Sequence, residues 1–298
     1  MDSLKVAWLA AVLSACAAAP TAPPRTATQI LEASPASDWR RLDPANTLYM
    51  ELPAGRIVIE LAPAYAPNTV ANILTLVRQK YFDGLAVYRV QDNFVAQWGD
   101  PDEKKPQGDA KKKIEPEFTR PMSADLPFVA LPDRDVYAPQ TGYSGGFPAA
   151  RDPATQRTWL VHCYASVGVG RDNDADSGNG AELYAVIGNA PRPLDRNITV
   201  VGRIVKGIEL LSTLPRGSGS LGMYDKKEMH VPIKSVRLMA DVPEADYVAL
   251  ELLRTDSDTF RSLIEARRNR RDDWYKMPAG AIDVCANGLP ARPPKAAP

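Results

Sequence analysis

Short runs dominated by apolar residues mark the first regular elements of the chain. Residues 48–52 and 56–61 form two such runs, separated by Pro53-Ala54-Gly55. Two β-rich runs joined by turn-forming residues predict a hairpin. After Pro67 the period changes, because apolar residues return every three to four positions. This spacing predicts a helix with one face directed at a sheet and with Asn68 as its cap.

The later part of the chain is less regular. Between about residues 120 and 158, Pro and Gly recur without a clear period, which predicts an ordered insertion or a long surface loop. Residues 246–254 predict a strand, and residues 255–275 predict a helix capped by Asp256 or Ser257. The 27 prolines among 298 residues disfavour long helices and indicate a mainly β protein.

The charge balance excludes functions that depend on long-range electrostatics. Lys plus Arg and Asp plus Glu both number 36, so the formal net charge is zero. Proteins that bind nucleic acid usually carry a positive excess or a basic patch. We therefore expect no nucleic-acid partner, and we expect partners to be selected by local contacts.

The first residues are typical of an export signal. Lys5 precedes an apolar run over residues 6–15, which is too short to cross a bilayer. The run ends in Leu13-Ser14-Ala15-Cys16, which resembles the lipobox of bacterial lipoproteins. We expect lipidation of Cys16; cleavage at Ala15-Cys16-Ala17 by a simple signal peptidase is the alternative. Because Ala17 follows the cysteine, we expect a periplasmic lipoprotein anchored in the outer membrane.

The remaining cysteines leave two possibilities open. Outside the leader and Cys16, the cysteines are Cys163 and Cys285, and two thiols can pair in an oxidising compartment if their Cα atoms come close enough. Two buried free thiols are the alternative that we favour. His162 and His230 are the only histidines, and there is no Cys-x-x-Cys motif, so we expect neither a metal site nor a cofactor.

The stretch from Val87 to Asp100 resembles the active-site strand of the cyclophilin peptidyl-prolyl cis-trans isomerases. Arg89, Phe94 and Gln97 stand at the spacing of that family, and a Gly-Asp pair follows them. The resemblance covers residues 48–100, 114–118, 180–187 and 194–204. It implies a mainly β fold, a closed eight-stranded antiparallel barrel with capping helices, in which residues 233–239 form the closing strand.

The resemblance also implies the organisation of the chain. The expected segments are a signal with its lipobox (1–16), a Pro- and Ala-rich tether (17–45), a cyclophilin-like domain (46–240, with the insertion at about 120–158) and a C-terminal extension that packs on the barrel (241–298). The implied partners are Pro-containing segments of exported polypeptides, and the implied activity is isomerisation of X-Pro bonds.

Site residues follow from the same resemblance. Arg89, Phe94 and Gln97 are the implied catalytic residues, with Arg89 stabilising the twisted amide of the substrate. The implied substrate-binding residues are Val95, Gly170, Arg171, Glu182, Tyr184, Leu194 and Ile198.

Four positions depart from the family pattern. Glu182 stands where the family has Gln, Tyr184 where it has Phe, Pro193 where it has Trp, and Ile198 where it has His. We expect Glu182 to pair with Arg89. These changes keep a second function open, namely a non-catalytic binding module or chaperone for Pro-containing segments.

Two other motifs point to different chemistry, and their surroundings disfavour it. Gly142-Tyr143-Ser144-Gly145-Gly146 matches a hydrolase elbow, but the flanking prolines predict a Gly-rich turn instead of a strand-to-helix elbow. The acidic run from Asp172 to Asp176 lacks the Gly and Glu positions of a calcium-binding loop, which favours a solvated loop.

Overall fold

A computed structural model describes residues 25–189, 191–270 and 272–295. The expected signal sequence and Cys16 lie outside these residues. Within the described ranges, no helix has both the length and the apolar composition needed to cross a membrane.

The regular elements are short and mostly strands. The strands are β1 (Trp39–Arg41), β2 (Thr47–Leu52), β3 (Gly55–Leu61), β4 (Ala86–Val90), β5 (Val95–Gly99), β6 (Arg120–Pro121), β7 (Val129–Ala130), β8 (Gln140–Ser144), β9 (Phe147–Asp152), β10 (Arg157–Leu160), β11 (Ser166–Val169), β12 (Leu183–Val186), β13 (Val200–Lys206), β14 (Val231–Pro232), β15 (Ser235–Leu238), β16 (Glu251–Leu253) and β17 (Ala291–Arg292). The helices are α1 (Ala27–Glu32), α2 (Pro67–Arg78), α3 (Glu209–Ser212) and α4 (Asp258–Arg268).

The largest sheet curls into the expected barrel. Its strand order is β14-β4-β5-β12-β11-β13-β3-β2-β15, and every pair is antiparallel. β14 and β15 are two halves of one run: Ile233 hydrogen-bonds with Leu85 beside β4, and Lys234 donates to Glu51 on β2. This kinked run joins the two edges, which gives eight strands around the barrel without one continuous closing ladder. The fold expected from the family resemblance is confirmed.

Helix α2 covers one opening of the barrel. Its apolar face, including Ile73 and Leu76, is fully buried against the strands. The helix begins at Pro67 as expected, but Asn68 does not cap it. The carboxylate of Glu117 instead accepts hydrogen bonds from the backbone N–H groups of Asn68 (3.0 Å) and Thr69 (2.9 Å). A distant acidic residue thus binds the N–H groups that a local cap usually satisfies.

The insertion folds into a second sheet. Its strand order is β6-β10-β9-β8-β7, again antiparallel, over residues 120–160. The hydrolase-like motif forms the turn between β8 and β9, where Gly145 and Gly146 have φ angles of 58° and 92°. A turn that needs positive φ explains the paired glycines, as expected.

The N- and C-terminal segments complete a second hydrophobic core on this sheet. Trp39, Tyr143, Trp159, Phe260 and Leu263 are buried together there. The expected tether is therefore wrong over residues 25–45, because α1 packs near α4 and β1 pairs with β16. The C-terminal extension contacts the barrel through Leu252, but much of it packs on the insertion instead.

Cys163 and Cys285 form a disulfide bond, with their Cα atoms 4.9 Å apart. The free thiols that we favoured from the sequence are therefore wrong. The bond joins the end of the insertion to the C-terminal extension across 122 residues of sequence. Helix α4 is also shorter than expected, and Ser257 caps it by accepting a hydrogen bond from the Phe260 N–H.

Candidate active site

Arg89 lies at the centre of the expected site, on β4. Its Nη1 donates to Gln97 Oε1 (2.9 Å), its Nε donates to the Leu221 carbonyl (2.7 Å), and its Nη2 donates to Gln91 Oε1 (2.5 Å). The guanidinium carbon lies 5.8 Å from the centroid of the Phe94 ring. The structure thus brings Arg89, Phe94 and Gln97 together, and partial burial lowers the pKa of Arg89 without removing its charge.

A bulge in β4 places two successive side chains beside Gln97. Neighbouring residues of a regular strand point to opposite faces. The pairing of β4 with β5 shifts between Val87 and Arg89, which leaves Tyr88 as an extra residue. Both Tyr88 and Arg89 therefore reach Gln97, whose Nε2 donates to the Tyr88 hydroxyl (2.5 Å).

Glu182 ends this chain of hydrogen bonds. The Tyr88 hydroxyl donates to Glu182 Oε2 (2.5 Å), so each group from Arg89 through Gln97 and Tyr88 donates to the next. The expected direct pair between Glu182 and Arg89 is wrong, because Gln97 and Tyr88 stand between them. The carboxylate lies against the Cα of Gly99, where φ is 151° and a Cβ atom would collide with it.

Burial raises the pKa of Glu182 from 4.5 to about 7. The hydrogen bonds from Tyr88 and Gln97 oppose this increase, whereas the negative charge of Asp100 adds to it. Burial also raises the pKa of Tyr88 well above its usual range, and the charge of Glu182 adds to the increase. Tyr88 therefore stays protonated, and Glu182 changes its charge near neutral pH.

The residues expected to form a prolyl pocket lie in one apolar cluster. Val95 and Tyr184 are buried on neighbouring strands, and Phe94, Leu194 and Ile198 pack against them while remaining partly exposed. A partly exposed rim around a buried apolar floor suits a small apolar ring. The structure brings all five residues together.

The two remaining expected residues follow β11. The Gly170 N–H donates to the Glu182 carbonyl (2.8 Å), and a Cβ at this position would lie 3.2 Å from Gln97 Nε2. Arg171 turns away, with its Nε donating to the Asn197 carbonyl (3.0 Å). Gly170 therefore borders the Arg89 side of the site, whereas Arg171 braces the loop that precedes β13.

A buried hydrogen-bond chain extends from the hydroxyl of Tyr184. His162 Nε2 lies 2.9 Å from that hydroxyl, and His162 Nδ1 lies 2.9 Å from Asp195 Oδ1. Asp195 Oδ2 accepts from Arg192 Nε (2.9 Å), and Arg192 also binds both carboxylate oxygens of Asp135 (2.8 and 3.0 Å). The side chains of His162, Asp195, Arg192 and Asp135 are at most 6 % exposed.

This buried hydrogen-bond chain fixes the orientation of the Tyr184 side chain. The carboxylate of Asp195 favours the tautomer of His162 that carries its proton on Nδ1. Nε2 is then free to accept a hydrogen bond from the Tyr184 hydroxyl. Burial, together with the charge of Asp195, raises the pKa of Tyr184 and keeps it protonated. With its hydroxyl bound to His162, Tyr184 offers the apolar cluster its ring, as a phenylalanine would.

Sequence reasoning missed His162, Arg192 and Asp135 as parts of the site. Arg192 and Asp195 are close in sequence, but Asp135 belongs to the insertion and His162 follows β10. The one available signal was the replacement of Phe by Tyr at position 184, since a buried hydroxyl requires a hydrogen-bond partner.

Comparison with known proteins agrees with this geometry. The family model "Cyclophilin type peptidyl-prolyl cis-trans isomerase/CLD" matches residues 47–238. Probable peptidyl-prolyl cis-trans isomerases of Brucella suis and Brucella abortus are 28 % and 27 % identical over 182 residues, which is 59 % of this chain and 74 % of theirs. A cyclophilin crystal structure from Hirschia baltica superposes with a TM-score of 0.67 at 26 % identity, covering 85 % of this chain and 92 % of that one. The chain belongs to the cyclophilin-type peptidyl-prolyl cis-trans isomerase family.

Proposed function

We propose that this member of the family isomerises X-Pro bonds in exported polypeptides, with Arg89 as the group that stabilises the transition state. The observation that carries the proposal is the placement of Arg89, whose guanidinium is held beside Phe94 at the rim of the apolar cluster. The prolyl ring occupies the cluster, and the guanidinium then lies beside the amide that rotates.

The chemistry requires no nucleophile and no proton transfer. Rotation about the X-Pro bond is slow because the planar amide has partial double-bond character, with a barrier of about 18–20 kcal/mol. In the twisted amide the nitrogen regains a lone pair, and a hydrogen-bond donor placed there stabilises the twisted form more than the planar one. A guanidinium has five N–H groups. Three of those of Arg89 bind Gln97, Leu221 and Gln91, which leaves two for the substrate.

Export is supported by the disulfide bond. Cys163 and Cys285 form a disulfide bond. Such bonds persist in oxidising compartments such as the periplasm and are rare in the cytosol. The proposed anchor, Cys16, stands nine residues before Arg25, the first described residue. Membrane fractionation tests the anchor: the wild-type protein is expected with the membranes and Cys16→Ser in the soluble fraction. A Cys16→Ser protein that stays with the membranes would contradict lipidation at this residue.

A second function has a specific observation in its favour. The carboxyl group of Glu182 accepts hydrogen bonds from the Tyr88 hydroxyl (2.5 Å) and from Gln97 Nε2 (3.4 Å). Pro193 and Ile198 replace the aromatic residue and the histidine of the family pattern. A site altered in this way can grip a Pro-containing segment without accelerating its isomerisation. This binding module is the alternative to the enzyme.

An isomerisation assay on a short proline peptide separates the two. We expect Arg89→Ala to lower kcat/KM by about 100-fold or more, the usual result of removing one donor that stabilises a transition state. Arg254→Ala, which removes an exposed arginine paired with Asp256, is the matched control and is expected to match wild type. If wild type, Arg89→Ala and a protein-free sample give equal rates while the peptide still binds, the protein is the binding module.

A further inference from the structure

A groove adjoins the apolar cluster on the side away from Arg89. We propose that it binds the stretch of client polypeptide that flanks the prolyl residue, and that it selects an apolar or aromatic side chain there. The inference rests on the proposed function, because it extends the same substrate-binding surface. The residues that define this accessory groove are Asn93, Tyr137, Tyr164, Asn189, Arg192 and Cys285.

The groove is continuous with the candidate prolyl pocket. Asn93 directly precedes Phe94, and its side-chain oxygen accepts a hydrogen bond from the Asn189 N–H (2.8 Å). The Phe94 carbonyl accepts a second bond from the Ile187 N–H (2.9 Å). One turn of the β4–β5 hairpin therefore forms a wall of both the pocket and the groove.

The two ends of β12 separate the groove from the proposed catalytic group. Glu182 lies just before β12, and Gln97 lies opposite Tyr184 on the neighbouring strand β5, whereas Gly188 and Asn189 lie beyond the end of β12. At about 3.3 Å per residue of extended chain, the four steps from Tyr184 to Gly188 span roughly 13 Å. An extended peptide with its proline in the pocket thus reaches the groove with a residue about four positions away.

The lining of the groove combines aromatic rings and amides with one exposed carboxylate, that of Asp283. Tyr164 and Tyr137 are 48 % and 42 % exposed, and both line it. The guanidinium of Arg192 lies 4.6 Å from the centre of the Tyr137 ring, but its charge is balanced by Asp135 and Asp195. The groove therefore offers two aromatic rings and the amides of Asn93 and Asn189, which match an apolar side chain and a peptide backbone.

Parts of the chain outside the barrel complete the groove. Tyr137 belongs to the insertion, and Cys285 belongs to the C-terminal extension, where its disulfide to Cys163 fixes it at the groove. This arrangement gives the insertion and the extension a common role, which is to lengthen the peptide-binding surface of the barrel.

Peptides of two lengths test the inference. The short probe is a four-residue peptide with a central Ala-Pro bond. Each of the two long probes adds five residues to it, one at the N-terminal side and the other at the C-terminal side. In both extensions a phenylalanine stands four positions from the proline. We expect one of the two long probes to have a kcat/KM about fivefold above that of the short probe, as partial burial of one aromatic ring would give. In Tyr164→Ala this long-to-short ratio is expected to fall to about one.

Tyr275→Ala is the matched control, since it removes a partly exposed tyrosine that does not line the groove. It should keep the wild-type ratio. Equal kcat/KM for all probes in wild type, or a ratio that Tyr164→Ala leaves unchanged, would overturn the accessory groove while leaving the isomerase intact. If no probe is turned over, the isomerase proposal fails. The dissociation constants of the same peptides then test the groove: one long probe should bind more tightly than the short probe to wild type, and equally tightly to Tyr164→Ala.

Discussion

The two walls of the candidate site are held in place in different ways. On the wall formed by β4 and β5, Arg89 and Gln97 sit eight residues apart on one hairpin and remain partly exposed. On the facing wall, Tyr184 is buried and bound to His162, which belongs to a different part of the chain. The first wall carries a partly exposed charge, whereas the second carries an apolar surface backed by buried charges.

This difference shows how the residues of the family pattern can change on the Tyr184 wall while those on the Arg89 wall stay the same. A tyrosine in place of phenylalanine introduces a hydroxyl that is costly to bury without a partner. His162 accepts a hydrogen bond from that hydroxyl, and Asp195 accepts one from His162. Arg192 then joins Asp195 to Asp135. The substitution at position 184 therefore belongs to a linked set of buried residues, and the Arg89 wall is left unaltered.

The largest expected loss of stability follows from removing the carboxylate of Asp195 from the buried hydrogen-bond chain. Asp195→Ala leaves Arg192 without one of its two carboxylate partners and removes the acceptor of the His162 ring. Removal of one partner of a buried pair usually costs about 3–5 kcal/mol in the free energy of unfolding. Chemical denaturation would measure this loss.

Asp256→Ala is the control for Asp195→Ala, because it breaks an ion pair with Arg254 in which both side chains are about half exposed. Exposed pairs usually contribute less than about 1 kcal/mol. Equal losses for the two variants would contradict the structural importance of the buried chain.

A smaller effect is expected from Tyr184→Phe. The variant leaves Nε2 of His162 buried without its partner, which usually costs about 1–3 kcal/mol of stability. Because the hydroxyl is bound to His162, we expect kcat/KM on the short proline peptide to stay within about twofold of wild type. Tyr275→Phe, at an exposed site, is expected to change neither quantity. A tenfold loss of kcat/KM in Tyr184→Phe would show that the hydroxyl acts on the substrate.

The sequence predicted the site residues that lie close together along the chain. Arg89, Phe94 and Gln97 lie within nine residues, so their register on one hairpin follows from the local pattern. The barrel follows from the family resemblance, which placed the closing strand at residues 233–239; the closing run occupies residues 231–238.

Long-range partners could not be predicted. The second sheet was hidden because its strands are two to six residues long and contain prolines such as Pro121 and Pro148, which obscure alternation. Trp39 pairs with Leu253, more than 200 residues away, although the composition around it suggested a tether. Likewise, nothing local to Cys163 or His162 indicates a partner in the extension or at Tyr184.

The last prediction concerns Glu182 and the orientation of Arg89. When ionised, Glu182 accepts a hydrogen bond from the Tyr88 hydroxyl and ends a chain in which Gln97 holds Arg89. When protonated, it competes to donate to Tyr88 and weakens that chain. Because burial raises the pKa of Glu182 to about 7, we expect kcat/KM on the short peptide to rise several-fold from pH 6 to pH 8. In Glu182→Gln this rise is expected to disappear, whereas Glu244→Gln, at an exposed site, should keep it.

Stability is expected to change in the opposite direction over the same range. The pKa of Glu182 is higher in the folded protein, at about 7, than its ordinary value of 4.5, so the folded state binds the proton more tightly. The stabilisation from this group is then fully present below pH 4.5 and is lost as the pH rises through 7. Denaturation midpoints of wild type and Glu182→Gln should therefore diverge with rising pH, in favour of the variant. If the two midpoints keep a constant difference from pH 5 to pH 8, Glu182 does not titrate there, and any rise in activity has another source.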